Sequence, residues 1–189
     1  MRTVVFTLVV MLLLPGFCFT RLAYAKDSPE VQVANAVSND GILAVLAGAV
    51  VMPLFDHEEQ GKSEAMRTAD AVASATVVTM ILKQVVRAPR PNGQGHDSFP
   101  SEHATAAFAA ATMAADRHPD QALYWYAAAA AISYSRVRLN LHRPSEVLAG
   151  AAIGFGVAKL ERHMPRGLLI APFVSSDADG GGVEAIWRF

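Results

Sequence analysis

The chain of 189 residues contains a single cysteine, Cys18, which excludes an internal disulfide and any cysteine-built metal cluster. It also has little net charge, because 16 Lys and Arg face 17 Asp and Glu, for −1 with neutral histidine. That balance excludes the global basic field of a nucleic-acid binder and the acidic tail of a disordered segment. Strand patterning is missing until the C-terminal tail. What the chain has in quantity is small apolar side chains: the apolar share is 52%, much of it Ala, Gly and Val. The length gives one domain with a core large enough to fold alone. Small side chains fit helices in close approach better than they fit a β-sandwich.

The N-terminus reads MRTVVFTLVVMLLLPGFCFTRLAYAKD. Residues 1–25 have the form of a cleavable signal peptide. Arg2 supplies the positive region, residues 4–14 the apolar region, and Ala23-Tyr24-Ala25 the small-x-small cleavage site. An uncleaved membrane anchor is the alternative reading. Either one delivers the chain after Lys26 to or across an inner membrane, so the expected location is the cell envelope, on the periplasmic side.

Five apolar stretches follow, at about 41–55, 68–87, 101–115, 121–135 and 145–160, each bounded by charges, Pro or Gly. Their Ala-rich periodicity predicts helices. Residues 166–189 differ, with two short apolar runs around an Asp- and Gly-rich turn, and this predicts a β-hairpin. The expected fold is therefore all-α, a compact bundle of about five core helices over 26–165, with a short C-terminal hairpin. A membrane span needs about 20 largely apolar residues. Most of the stretches are shorter, and 68–87, which has the length, contains Asp70. This favours a periplasmic globular or membrane-peripheral bundle over a short integral one.

Three clusters carry candidate chemistry. KQVVRAPRP at 83–91 puts Lys83, Arg87 and Arg90 at the end of an apolar helix, where cations also simply offset the helix dipole. SFPSEHA at 98–104 puts Ser101, Glu102 and His103 where a helix begins. Free backbone N–H groups and a hydroxyl there suit an anion, although an ordinary N-cap has the same form. SRVRLNLHRPSEVLAG at 135–150 puts Arg136 ahead of His142 and Glu146 after it, with Pro144 in a helical first turn. A carboxylate near an imidazole fixes its tautomer and raises its basicity. Each cluster has a structural explanation when taken singly. Taken together, six of the 16 Lys and Arg residues and two histidines gather at the ends of apolar helices. That is the set phosphoryl transfer without a metal requires: charge stabilisation, a nucleophile and a proton donor.

The three clusters resemble the signature of the type 2 phosphatidic acid phosphatase and vanadium haloperoxidase superfamily. Lys-x6-Arg-Pro is matched by Lys83, Arg90 and Pro91. Pro-Ser-Gly-His is matched by Pro100, Ser101 and His103, with Glu102 in the glycine's place. Ser-Arg-x5-His-x3-Asp is matched by Ser135, Arg136 and His142, with Glu146 in the aspartate's place. The resemblance implies a helical fold and a metal-independent phosphatase without cofactor. His142 would attack phosphorus to form a phosphohistidine, with Glu146 holding its other ring nitrogen. His103 would protonate the leaving oxygen and later activate water. Lys83, Arg90, Ser101, Arg136 and the backbone N–H of Glu102 would bind the phosphoryl oxygens, with Arg87 and Arg143 as rim charges.

The carboxylates are not grouped as a hard-cation cage, so no metal is expected. The expected substrate is a phosphorylated lipid or a small phosphoester, met at a membrane surface or inner membrane, and no nucleic acid is involved. Two other functions remain open at this point: a non-catalytic binder of phosphate or lipid headgroups, and a vanadate-dependent haloperoxidase. Oligomeric state is not legible here.

Overall fold

The computed structural model describes residues 28–55, 58–164 and 167–168, together with the backbone of two short segments in the tail. The expected signal peptide, with Cys18, lies outside the described residues. The helices are α1 (Pro29–Ala36), α2 (Ile42–Val51), α3 (Glu58–Val86), α4 (Glu102–Arg117), α5 (Ala122–Arg138) and α6 (Pro144–His163). A π-helical turn, Val37–Gly41, joins α1 to α2 without a break, since Ala36, Val37, Gly41 and Ile42 all keep right-handed helical angles. The described part is thus five long helical stretches, as the Ala-rich periodicity predicted. The tail backbone runs as Ile170–Val174 antiparallel to Gly181–Ala185, with Phe173 opposite Gly182. The turn expected between them lies outside the described residues.

Helix α4 is the central rod. From Ala104 to Ala115 every residue except Phe108 is buried, because this helix is covered by α2, α3, α5 and α6. Its alanines meet Ile42, Val45, Trp125, Ala129 and Ile132 on one side, and its Ala109 and Met113 meet Ala71, Ala75 and Ala158 on the other. Close approach depends on glycine. A Cβ at Gly150 would run into the Ser101 carbonyl oxygen, and one at Gly154 into that of Thr105. These two glycines, one helical turn apart, let α6 lie directly against the start of α4. That contact positions the clusters at 98–104 and 135–150 together.

One expectation changes. The sequence shows a short apolar stretch beginning near Gly41, but the π-helical turn extends that helix backward. Pro29–Phe55 and Gln60–Val86, each of 27 residues and holding an 18-residue window of mean hydropathy 1.7 and 1.4, are long and apolar enough to cross a membrane. On the last turns of α3, Val77, Val78, Met80, Ile81, Val85 and Val86 are exposed.

A buried ionic cluster ties α3 to α6. Glu161 and Asp70 are fully buried, and Arg67 Nε stands 3.3 Å from Glu161 Oε1. Arg67 also donates to the Glu161 and Met164 carbonyls, and Asp70 accepts from Ser74 and from the Leu168 N–H. Burial, with Asp70 close by, pushes the Glu161 carboxyl up to about 7.

Candidate active site

Helix α3 delivers Lys83 in its last turn and ends at Val86, and Arg87 after it has a left-handed φ of 48°. The chain then makes a loop back to α4. Arg90 and Gly95 close its turn at 3.1 Å, and the Ser98 N–H donates to the Ala88 carbonyl at 3.0 Å. Gly93 and Gly95 take φ of 75° and 92°, which glycine adopts without strain. Asp97 fastens the loop: Arg90 donates to it through Nε at 2.7 Å and Nη2 at 2.8 Å. Lys83 Nζ donates to the Asp97 carbonyl at 2.5 Å. The hydrogen bond from Arg90 holds the Asp97 carboxyl down at about 2. The sequence reading missed Asp97, which sits in a polar loop with no helical spacing to mark it.

Ser98 is the hub of the site and is fully buried. Its carbonyl accepts from His142 Nδ1 at 2.7 Å, and its hydroxyl donates to Glu146 Oε2 at 2.5 Å. A carbonyl can only accept, so the Nδ1–H tautomer is fixed and Nε2 keeps its lone pair. Burial pushes His142 down to about 4, against the opposing pull of the Ser98 carbonyl. His142 is therefore a neutral imidazole at neutral pH, as a nucleophile must be.

Glu146 stands beside the ring nitrogen it was expected to hold, with Ser98 bonded to both residues. Its Oε2 lies 3.5 Å from His142 Nδ1, whose proton goes to Ser98 instead. Glu146 is in the first turn of α6, so its carboxylate folds back onto the helix start. Its Oε2 accepts from the Arg143 backbone N–H at 2.8 Å, and its Oε1 from Arg143 Nη1 at 2.9 Å. Burial alone would raise the Glu146 carboxyl, but the hydrogen bonds from Ser98 and Arg143 outweigh it and hold it below its ordinary value. Arg143, expected as a rim charge, instead clamps Glu146 and donates to the Pro89 carbonyl at 2.9 Å.

The remaining expected residues converge here. Ser101 caps α4 in an extended conformation, and its buried hydroxyl has no hydrogen-bond partner among the described residues. Its N–H donates to the Glu146 carbonyl at 3.0 Å, which binds the second cluster to the third. Arg136 is buried, with Nη1 donating to Ser38 at 2.5 Å and Nε unpartnered among the described residues. Burial, with Arg90 nearby, lowers it to about 10. No sequence spacing could reveal Ser38, which arrives from the π-helical turn. Burial also pushes His103 down to about 4, helped by Arg136, His142, Lys83 and Arg90. Those shared influences place both histidines within one cationic field. Glu102 acts on that field as well, since its carboxylate bears on Lys83, Arg90 and Arg136. It makes no ion pair with Arg87 or Arg143. Among the described residues, no group of three or more His, Cys, Asp or Glu side chains could hold a metal ion.

An unpartnered hydroxyl, an unpartnered guanidinium nitrogen and a neutral imidazole around one basic pocket suit a tetrahedral oxyanion. Comparison with known proteins agrees. Residues 92–168 match the PAP2 superfamily, a stretch that begins just after Arg90 and holds Ser101, His103, Arg136, His142 and Glu146. Over 131 residues the chain is 32% identical to a lipid A 1-phosphatase of Porphyromonas gingivalis. That match takes in 66% of this chain and 29% of the relative, so the chain spans under a third of that protein. The crystal structure of Aquifex aeolicus LpxE superposes with a TM-score of 0.60 at 24% identity, covering 74% of this chain and 89% of that one. At that identity the likeness is one of fold.

Proposed function

This chain belongs to the type 2 phosphatidic acid phosphatase superfamily, and on that premise we propose that it is a metal-independent phosphatase of lipid phosphates. The observation that carries this reading is the His142–Ser98 hydrogen bond, which leaves Nε2 as a free nucleophile inside a cationic pocket. In the proposed reaction His142 Nε2 attacks phosphorus, and the bond to the leaving oxygen breaks. His103 gives that oxygen a proton, and a water deprotonated by His103 then cleaves the N–P bond. Lys83, Arg90, Arg136, the Ser101 hydroxyl and the N–H of Glu102 balance the charge of the transferring group. In the free protein His103 is neutral at neutral pH. An entering phosphate dianion offsets the surrounding cations, so the substrate itself raises His103 toward the protonated form.

A lipid substrate is supported by the exposed apolar strip on α3 and by the two helical stretches long enough to span a membrane. The named relative acts on lipid A. A membrane-associated place in the envelope, with the site on the periplasmic side, belongs to the same reading. So do the 26–165 helical unit and the closing of 166–189 as a hairpin. The test is phosphate release from phosphatidate or lipid A in detergent with excess EDTA, followed by quenching in alkaline denaturant, where the N–P bond survives, to trap phosphohistidine. Dependence on Mg²⁺ would sink the metal-free mechanism. Turnover that survives His142→Ala would sink the nucleophile.

A further inference from the structure

The first helical stretch carries one polar group to the site from outside all three motifs. Along α1, the π-helical turn and α2, a buried row runs Ala34, Ser38, Ile42, Val45 and Ala49. The steps of four and three residues are those of one helix face. Ser38 is the polar member of that row and is fully buried where the π-helical turn packs against α5. A hydroxyl taken out of water among apolar side chains costs free energy unless it is hydrogen-bonded. Its partner is Arg136, 98 residues away in the chain.

The backbone is unusual at the same place. Val37–Gly41 widens to a π turn, although the residues on both sides keep α-helical angles. Such a bulge adds one residue to a helix, and bulges of this kind recur at functional sites. One added residue turns α1 and α2 about 100° against each other, and with that turn Ser38 and Ile42 are both buried.

Arg136 is held at one corner only. Its Nη1 donates to the Ser38 hydroxyl at 2.5 Å, while Nε, on the opposite edge of the guanidinium, is buried without a partner among the described residues. The Nε–Nη2 edge is the one that takes two oxygens side by side. The Arg136 carbonyl also accepts the N–H groups of Leu141 at 3.1 Å and His142 at 3.3 Å. The guanidinium and the proposed nucleophile therefore share one backbone anchor.

We propose that Ser38 is a positioning residue: it pins Nη1 of Arg136 so that the Nε–Nη2 edge is aimed at two oxygens of the transferring phosphoryl group. A fork fixed at one corner loses less freedom when it takes those oxygens than a fork that swings. The role in turnover rests on the phosphatase reading above, and the role in anion binding stands without it.

The experiment titrates the full chain with inorganic vanadate, a five-coordinate stand-in for the transferring phosphoryl group. The variants are Ser38→Ala, Arg136→Ala and the two combined. Alanine suits this apolar face, so Ser38→Ala should keep its helical circular dichroism and bind vanadate about tenfold more weakly. In the Arg136→Ala background the same substitution should change affinity less than about twofold, because no fork is left to aim. Ser38→Cys keeps the volume but accepts weakly, so it should follow Ser38→Ala and carries the comparison if the alanine variant loses its fold. With a phosphoester, kcat should fall about tenfold in Ser38→Ala while KM stays within about twofold. Parent-like vanadate affinity in Ser38→Ala, or an equal loss in the Arg136→Ala background, would overturn the proposal and leave Ser38 a contact of the fold alone. A parent that binds vanadate with this coupling and hydrolyses no phosphoester would count against the phosphatase reading and leave the positioning role standing.

Discussion

His142 and Glu146, four residues apart, meet through Ser98. The ring Nδ1 is 2.7 Å from the Ser98 carbonyl and 3.5 Å from the Glu146 carboxylate, which takes the Ser98 hydroxyl at 2.5 Å. Glu146 is thus a positioning residue for the Ser98 loop. Ser98→Ala should cost about 1–3 kcal/mol of stability, since a buried carboxylate oxygen loses a donor. Its carbonyl remains, so kcat should fall by less than about tenfold. Glu146→Gln should likewise leave measurable turnover. A loss in Glu146→Gln as large as that in His142→Ala would restore a direct Glu146–His142 contact in the working enzyme.

His142→Ala should abolish turnover and leave the helical circular dichroism unchanged, because binding groups cannot replace a covalent nucleophile. Residual activity within about tenfold of the parent, a barrier change near 1.4 kcal/mol, would refute the assignment. Arg136→Lys should also be damaging, because a compact ammonium cannot hold Ser38 and a phosphoryl oxygen at once.

Glu102 replaces the family's glycine and faces the cations, where its charge opposes that of an incoming phosphate. Glu102→Gly should therefore keep activity and bind vanadate at least as tightly as the parent. If Glu102→Gln lost two orders of magnitude in kcat, about 2.7 kcal/mol of barrier, Glu102 would have to be counted among the reacting groups.

Two opposing pH dependences are built into the fold. His103 and His142 sit near 4 against 6.5 for a free imidazole. The unfolded chain therefore binds protons first, and the stability these neutral rings supply above pH 6.5 is lost as pH falls toward 4. For buried His142 this is about 3 kcal/mol at most. Glu161 is raised to about 7, so its contribution is whole below about pH 4.5 and is lost as pH rises through 7. Denaturant titrations should show His142→Gln flattening the acid limb and Glu161→Gln gaining stability at pH 8 relative to pH 5. Parallel curves for parent and variants would contradict both assignments.

Gly154→Leu should destabilise by at least about 1–3 kcal/mol, because its side chain would have to push α6 off the Thr105 carbonyl. Gly156, with open space where its Cβ would stand, is the control. Gly156→Ala should be neutral or slightly stabilising in the same melt. Equal effects at the two positions would mean that the close helix contact is absent in solution.

The sequence by itself determined the helices and the inventory of the site. Ala-rich periodicity between breakers marked α4, α5 and α6 to within a few residues, because local propensity and punctuation act over one or two turns. The three ordered motifs named Lys83, Arg90, Ser101, His103, Arg136, His142 and Glu146 before any of them could be seen together. Only the tertiary structure decided who partners whom. Gly150 and Gly154 bring α6 against α4, and the 87–101 loop folds back so that the Ser98 carbonyl meets His142 and its hydroxyl meets Glu146. Ser38 reaches Arg136 from 98 residues away, Asp97 takes Arg90, and Arg143 turns inward to Glu146. A hydrogen bond depends on tenths of an ångström between segments distant in the chain, and no periodicity in the sequence carries that distance.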